Sequence, residues 1–192
     1  MTDLSPVYTK CRTPSGGPAQ AETNAAVLTS QQLASLGIWY DLYHNTPPEH
    51  AFVKAALSNF ADLRRIPTTS DLIVVGLFSI IESLITHAPR LSETLDSINH
   101  QITNKIILLR KRYSRPIVPD TYFAHTAEET IWKKLYSYRS SVAHGTPVSI
   151  EKSDLQVLKS RQMVIDFLQD NVKELLQLGL RESGFLFDLR RC

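Results

Sequence analysis

A chain of 192 residues with a hydrophobic share of 43% can build one domain with a real core, and is too short to suggest two. Its formal net charge of +2 does not announce nucleic-acid binding by itself, so any basic surface must be local. Two cysteines, Cys11 and Cys192, stand far apart near the chain ends; they suggest no disulfide framework or zinc site, which fits a reducing cytosol.

Residues 1–20 carry no apolar core of the signal-peptide kind. The longest apolar region, residues 72–85, is interrupted by Gly76, Ser79 and Glu82 and is too short for a membrane span. The expectation is a soluble cytoplasmic protein without membrane contact.

Residues 1–29 hold Pro6, Pro14, Pro18, Gly16 and Gly17 without apolar periodicity, and read as a flexible arm. Ser30 is the expected cap of a first helix whose apolar face is Leu33, Leu36, Ile38, Trp39, Leu42 and Tyr43. Thr46 is the expected cap of a second, with Pro47 at its first position and Phe52, Ala55, Ala56, Phe60 and Leu63 at helical spacing. Ser70 and Asp71 open a third, to about His87; it is apolar nearly all round and therefore central. Glu82 within it needs a partner or a proton, because a bare buried charge is costly.

Ser92 is the expected cap of a long fourth helix with an inner stripe of Leu95, Ile98, Ile102, Ile106, Leu109 and Tyr113. Its end carries Arg110, Lys111 and Arg112, then Arg115. Two readings fit: cations that complement a helix C-terminus, or a local footprint for RNA phosphates. Residues 114–125 form a loop through Pro116 and Pro119. Thr126-Ala127-Glu128-Glu129 has the form of a capping box, and the helix it opens buries Ile131, Leu135, Tyr138 and Val142. Gly145 suits a left-handed residue just past that helix, with Pro147 as a stop. A final helix runs from about Ser153 and Asp154 to Leu178, and Gly179 and Gly184 bracket a tail. No period-two alternation or hairpin turn is present. The prediction is an all-α bundle of about five to six helices over residues 30–178, with a C-terminal tail over 179–192.

The segment Tyr136-Ser137-Tyr138-Arg139-Ser140-Ser141-Val142-Ala143-His144-Gly145 gathers an arginine, hydroxyls and a histidine at a helix end. Arginine offers a fixed fork of donors matched to phosphate oxygens, and histidine can give or take protons near neutrality. The carbonyl end of a helix favours a cation at His144 by about 0.3–1 kcal/mol, which suits an acid or a phosphate binder better than a base. Five positions turn the two side chains roughly 140° apart around a straight helix. A bend near Gly145, or a twin subunit facing the first, is needed to aim both at one point. Taken alone, the spacing is equally that of a surface arginine and a capping histidine.

This segment resembles the signature of the HEPN family, in its Apea-like branch: Arg, four to six residues, then His near a helix end. Ile80-Ile81-Glu82-Ser83-Leu84, an apolar helix with one acid, is similar to the stretch upstream of that signature. The likeness covers roughly residues 71–178. It implies a HEPN-like helical bundle, usually dimeric, and often a metal-independent endoribonuclease of phage-defence or toxin–antitoxin systems, with an antitoxin or defence partner. It also implies that Arg139 and His144 line the catalytic cleft. Many members carry asparagine or aspartate directly after the arginine. Here the position is Ser140, whose hydroxyl can still bond phosphate. Some members of the fold only bind, so a non-catalytic module for RNA, a nucleotide or a partner protein is the alternative.

Around this pair, Glu82 either orients Arg139 or is a plain core ion pair. Tyr136 can stack on a base, whereas Tyr138 lies on the apolar face. Ser141 adds a second hydroxyl. Lys133 and Lys134 are either RNA-backbone contacts or a solvated helix face. His87 and His100 have no Cys or His at ligand spacing, so no metal and no cofactor is assigned.

Overall fold

The computed structural model describes residues 28–89, 97–113 and 117–192. Among them every regular element is helical: eight α-helices and four short 3-10 turns, against the five to six helices expected. The chain divides after Asn45 into two units. The arm over residues 1–27, Ser92, Leu95, Arg115 and Pro116 lie outside the described residues.

In the first unit, α1 spans Ser30–His44. Its cap is Thr29 rather than Ser30: Thr29 Oγ1 accepts from Gln32 N–H at 3.2 Å while Gln32 Oε1 accepts from Thr29 N–H at 2.8 Å. The reciprocal bonds satisfy two donors that the first helical turn leaves open. The face expected to be apolar and inward contains no buried residue, and Leu33, Leu36 and Ile38 are about half exposed.

The second unit comprises α2 (Ala51–Asp62), α3 (Leu72–Ile85), α4 (Ile98–Arg110), α5 (Pro119–Phe123), α6 (Glu128–Ala143), α7 (Arg161–Arg181) and α8 (Ser183–Arg191). α3 is its centre and packs against α2, α4, α6, α7 and α8. Ile73, Val74, Leu77, Phe78, Ile80, Ile81, Leu84 and Ile85 are buried, which covers most of its circumference. Each such side chain contributes about 1.5–3 kcal/mol relative to an exposed one. Phe78 of α3 meets Trp132 of α6 edge-on at 6.3 Å, and Trp132 meets Phe167 of α7 at 5.6 Å. Phe123 of α5 adds a ring 5.1 Å from Phe167. These offset ring contacts key α6 to the centre of the bundle.

Several helix starts differ from expectation. Thr46 is buried ahead of a 3-10 turn, Pro48–His50, and α2 begins only at Ala51. Asp71 makes no cap bond; its carboxylate pairs with Arg161 and accepts from Tyr138. The described fourth helix is capped by Ser97, whose Oγ accepts from His100 N–H. The capping box expected at Thr126 does not form, and α6 begins one residue later with Ala127 at the N-cap. The Thr126 N–H is already donated to the Phe123 carbonyl, closing the turn after α5, and Glu128 is drawn to Arg110 at 2.7 Å. The last long helix starts at Arg161, capped by Ser160, because residues 150–158 are folded into two 3-10 turns that bury Ile150, Leu155 and Leu158.

Residues 179–192 are not a loose tail. Gly179 lies inside α7, where an added Cβ would come within 3.1 Å of both Leu186 and Val53. Its missing side chain lets α2 and α8 approach α7 closely. α8 then folds back with Leu186 and Leu189 buried. The Arg190 carbonyl accepts from buried Lys105 at 3.5 Å and lies 3.2 Å from His87 Nδ1, so two cationic or polar groups meet the carbonyl end of α8. Among the described residues no helix is long and apolar enough to cross a membrane.

Candidate functional site

α6 carries the segment of interest. Trp132, Leu135 and Tyr138 anchor one side of it in the core, which leaves Tyr136, Arg139 and Ser140 at the margin, half-buried. The Arg139 guanidinium reaches α3 and lies 3.2 Å from Glu82 Oε1 and 3.3 Å from Oε2, the second approach having hydrogen-bond geometry. Arg139 Nε and Glu82 Oε1 are buried without a hydrogen bond among the described residues. Burial raises the Glu82 carboxyl above the usual carboxylate range, and Arg139 pulls it back only in part. The guanidinium also stands 5.7 Å from the Tyr136 ring centroid, and Tyr136 rests edge-on against Phe78 at 6.3 Å. Arg139 is therefore held on two sides, by a carboxylate and by a ring face.

His144 is the C-cap of α6 and is exposed. Its backbone is fixed by three bonds. His144 N–H donates to the Ser140 carbonyl at 3.0 Å, Gly145 N–H to Val142 at 3.0 Å, and Thr146 N–H to Ser141 at 2.9 Å. With Gly145 at φ +68°, the last two bonds are those of a Schellman motif. The imidazole itself has no hydrogen-bond or ion-pair partner among the described residues. Arg139 and His144 thus leave α6 differently, one folded onto α3 and the other exposed, and no hydrogen bond or ring contact joins them. Beside the turn is an open hollow of about 290 Å³ lined by Ser70, Leu72, Val142, Gly145 and Thr146 among others.

Three of the five cations read as RNA contacts are paired with carboxylates. Arg110 pairs with Glu128, Lys134 with Asp154 at 2.5 Å, and Arg112 with Glu182. The Lys134 hydrogen bond holds Asp154 below the usual carboxylate range. Lys111 and Lys133 are exposed and without carboxylate partners among the described residues. A cation already matched by a carboxylate adds little to the counterion release that drives nucleic-acid binding.

No protein-family model, curated protein or solved structure matches the chain.

One polar cluster near the site has no signature in the sequence. Arg161 Nε donates to Asp71 Oδ1 at 2.5 Å and its Nη2 to the Ser70 carbonyl at 2.6 Å; Tyr138 OH donates to the same Asp71 oxygen at 3.1 Å. It ties the starts of α3 and α7 to α6, just beneath the residues that follow Gly145. Its members are 67 and 90 positions apart in the chain, a separation that leaves no local signal. Among the described residues no group of three or more His, Cys, Asp or Glu side chains is arranged to hold a metal ion.

Proposed function

We propose that this protein is a metal-independent endoribonuclease of the HEPN type that works as a homodimer. The observation that carries the reading is the pairing of opposites on α6: a guanidinium oriented by Glu82 and Tyr136, and an unpartnered imidazole set in solvent by a left-handed turn. In the reaction the 2′-oxygen of a ribose bonds to the adjacent phosphorus as the bond to the 5′-oxygen breaks. The products are a 2′,3′-cyclic phosphate and a 5′-hydroxyl. Arg139 donates to the phosphate oxygens as charge builds on them, and His144 moves protons. Ser140, one position on from Arg139, assists at the phosphate. One subunit offers one imidazole, and the reaction has two proton transfers. A two-fold dimer brings a second His144 and a second Arg139 to the same cleft.

The test is cleavage of single-stranded RNA by the purified protein in EDTA, wild type against His144→Ala. Loss of cleavage in the variant with a 2′,3′-cyclic phosphate product from the wild type is expected. Equal cleavage by both, or a requirement for magnesium, would sink the mechanism.

A second reading is a non-catalytic helical module that binds RNA. It is favoured by the Glu82 carboxylate, which shares the Arg139 guanidinium and leaves it able to hold a phosphate but with less charge to offer a transition state. Under it, Arg139→Ala weakens RNA affinity and no turnover is measurable in the wild type.

A further inference from the structure

The cations of α4 and α6 are largely matched by carboxylates, so an RNA strand engaged at Arg139 needs its electrostatic hold elsewhere. α3 leads from Arg139 to such a place. Glu82, which pairs with Arg139, is one helical turn from Thr86, whose Oγ1 donates to the Glu82 carbonyl at 2.8 Å. The Thr86 carbonyl in turn accepts from Arg190 Nε at 3.2 Å. The end of α8 therefore lies one turn of α3 away from the candidate site. There the Arg190 guanidinium stands over the Phe52 ring at 5.1 Å, and that of Arg191 over Phe187 at 5.3 Å. His50 packs against Phe187 at 5.1 Å and completes the group. Among the described residues neither arginine is paired with a carboxylate, and Arg191 makes no hydrogen bond.

We propose that the end of α8 is the backbone-binding track for single-stranded RNA, with Arg190 and Arg191 as its phosphate contacts and Phe52 and Phe187 as the rings that hold them in place. The inference rests on the RNA reading above and moves the footprint away from Arg110, Arg112 and Lys134. Two features favour a nucleic-acid strand as the occupant. Among the described residues no carboxylate matches the charge of these arginines, which leaves it available to phosphates. A guanidinium fixed over a ring also loses less freedom on binding than a loose lysine, and its plane can stack on an unpaired base.

The experiment measures anisotropy of a labelled single-stranded 2′-O-methyl RNA, which cannot be cut by attack of the 2′-oxygen, against the full chain at several salt concentrations. One phosphate contact to a single strand carries a slope of about 0.7 in log affinity against log salt. Arg191→Gln should therefore lower that slope by about 0.7 and weaken binding about fivefold at 0.1 M salt. Arg191→Lys, which keeps the charge without the stacked plane, should keep the slope and fall between in affinity. Lys134→Gln should change neither quantity, because its charge is already spent on Asp154. Thermal melts of Arg191→Gln should lie close to the wild type, since the side chain is exposed and its contact is the Phe187 ring alone among the described residues. Wild-type binding that is indifferent to Arg191→Gln, or equally weakened by Lys134→Gln, overturns the track and leaves the nuclease reading standing. No binding by the wild type even at low salt overturns both.

Discussion

The Arg139 guanidinium and the Glu82 carboxylate meet between α6 and α3 with 23% and 22% of their side chains exposed. Neither group is in bulk water, so each relies on the other. Arg139→Ala leaves a half-buried carboxylate with no countercharge, and should cost about 1–2 kcal/mol at pH 7, as for a buried polar group stripped of its partner. The loss shrinks in acid. Burial raises Glu82 in the folded state, so the folded chain favours the protonated form; stability is greatest below the ordinary carboxylate value and falls as pH rises through the raised one. Urea titrations of Arg139→Ala at pH 4 and pH 7 measure this. Glu82→Gln in the same background should remove the difference. A loss independent of both pH and Glu82 would mean that Arg139 acts through packing alone.

Gly145 has φ +68° and nothing within 4 Å of where a Cβ would stand. The cost of a side chain there is thus conformational and not steric. Gly145→Ala should destabilise by about 1–2 kcal/mol, the penalty of a left-handed L-residue, while Gly145→Asn should cost less. Denaturant midpoints of the two variants decide it. Under the nuclease reading Gly145→Ala should also depress cleavage more than its stability loss explains, because the turn sets the position of His144.

These two neighbourhoods were legible in the sequence to different degrees. Gly145 and Pro147 announced the helix end locally, and the apolar run of α3 announced the central helix. The Arg139–Glu82 contact was one of two open readings, because a sequence shows that a buried carboxylate needs a partner and not which one. The two capping-box patterns have opposite outcomes. Thr29 with Gln32 forms one, where Ser30 seemed the cap; Thr126 with Glu129 does not, although the pattern is the same. The Thr126 N–H, which Glu129 would have to accept from, is instead donated to the Phe123 carbonyl in the turn that closes α5. α8 was hidden because its two glycine brackets resemble stops, whereas Gly179 is a packing position. The cations of α4 and α6 were visible as residues, but their carboxylate partners, 18 to 70 positions away, were not.

Glu128 gives a pH signature of its own. Its carboxyl is raised by burial, with Arg110 and the Trp132 indole opposing the rise. The folded state therefore holds its proton to higher pH than the unfolded state. The stability this adds is complete below the ordinary carboxylate value and is lost as pH rises through the raised one. Comparing wild type with Glu128→Gln by urea unfolding from pH 4 to pH 7, the wild type should lose ground to the variant as pH increases. A wild type that gains on the variant over that range would show that the Arg110 pair outweighs desolvation.

Leu186 is fully buried and touches the space left by Gly179. Leu186→Ala should cost about 2–5 kcal/mol, the range for emptying a packed leucine site. Because α8 carries Arg190 and Arg191, the same variant should lose RNA affinity under the proposed track even at temperatures where the rest of the bundle is folded. Hydrogen exchange localises the effect: protection should fall over residues 183–191 before it falls over α3.

Lys159 supplies a test in the opposite direction. It sits at φ +59° and ψ −62°, and Ser160 N–H donates to the Leu158 carbonyl at 2.7 Å, across a single residue. That is a γ-turn with positive φ, a rare and strained form, held by a lysine rather than a glycine. Strain of this kind costs about 1–3 kcal/mol, and glycine relieves it while adding about 0.5–1 kcal/mol of unfolded-state entropy. Lys159→Gly should therefore stabilise the chain by about 0.5–2 kcal/mol, read as a higher urea midpoint at unchanged slope. The side chain is exposed and makes no ion pair among the described residues, so no contact is lost in exchange. A lower midpoint for the glycine variant would mean that the turn before Ser160 and α7 is not held in that strained form in solution.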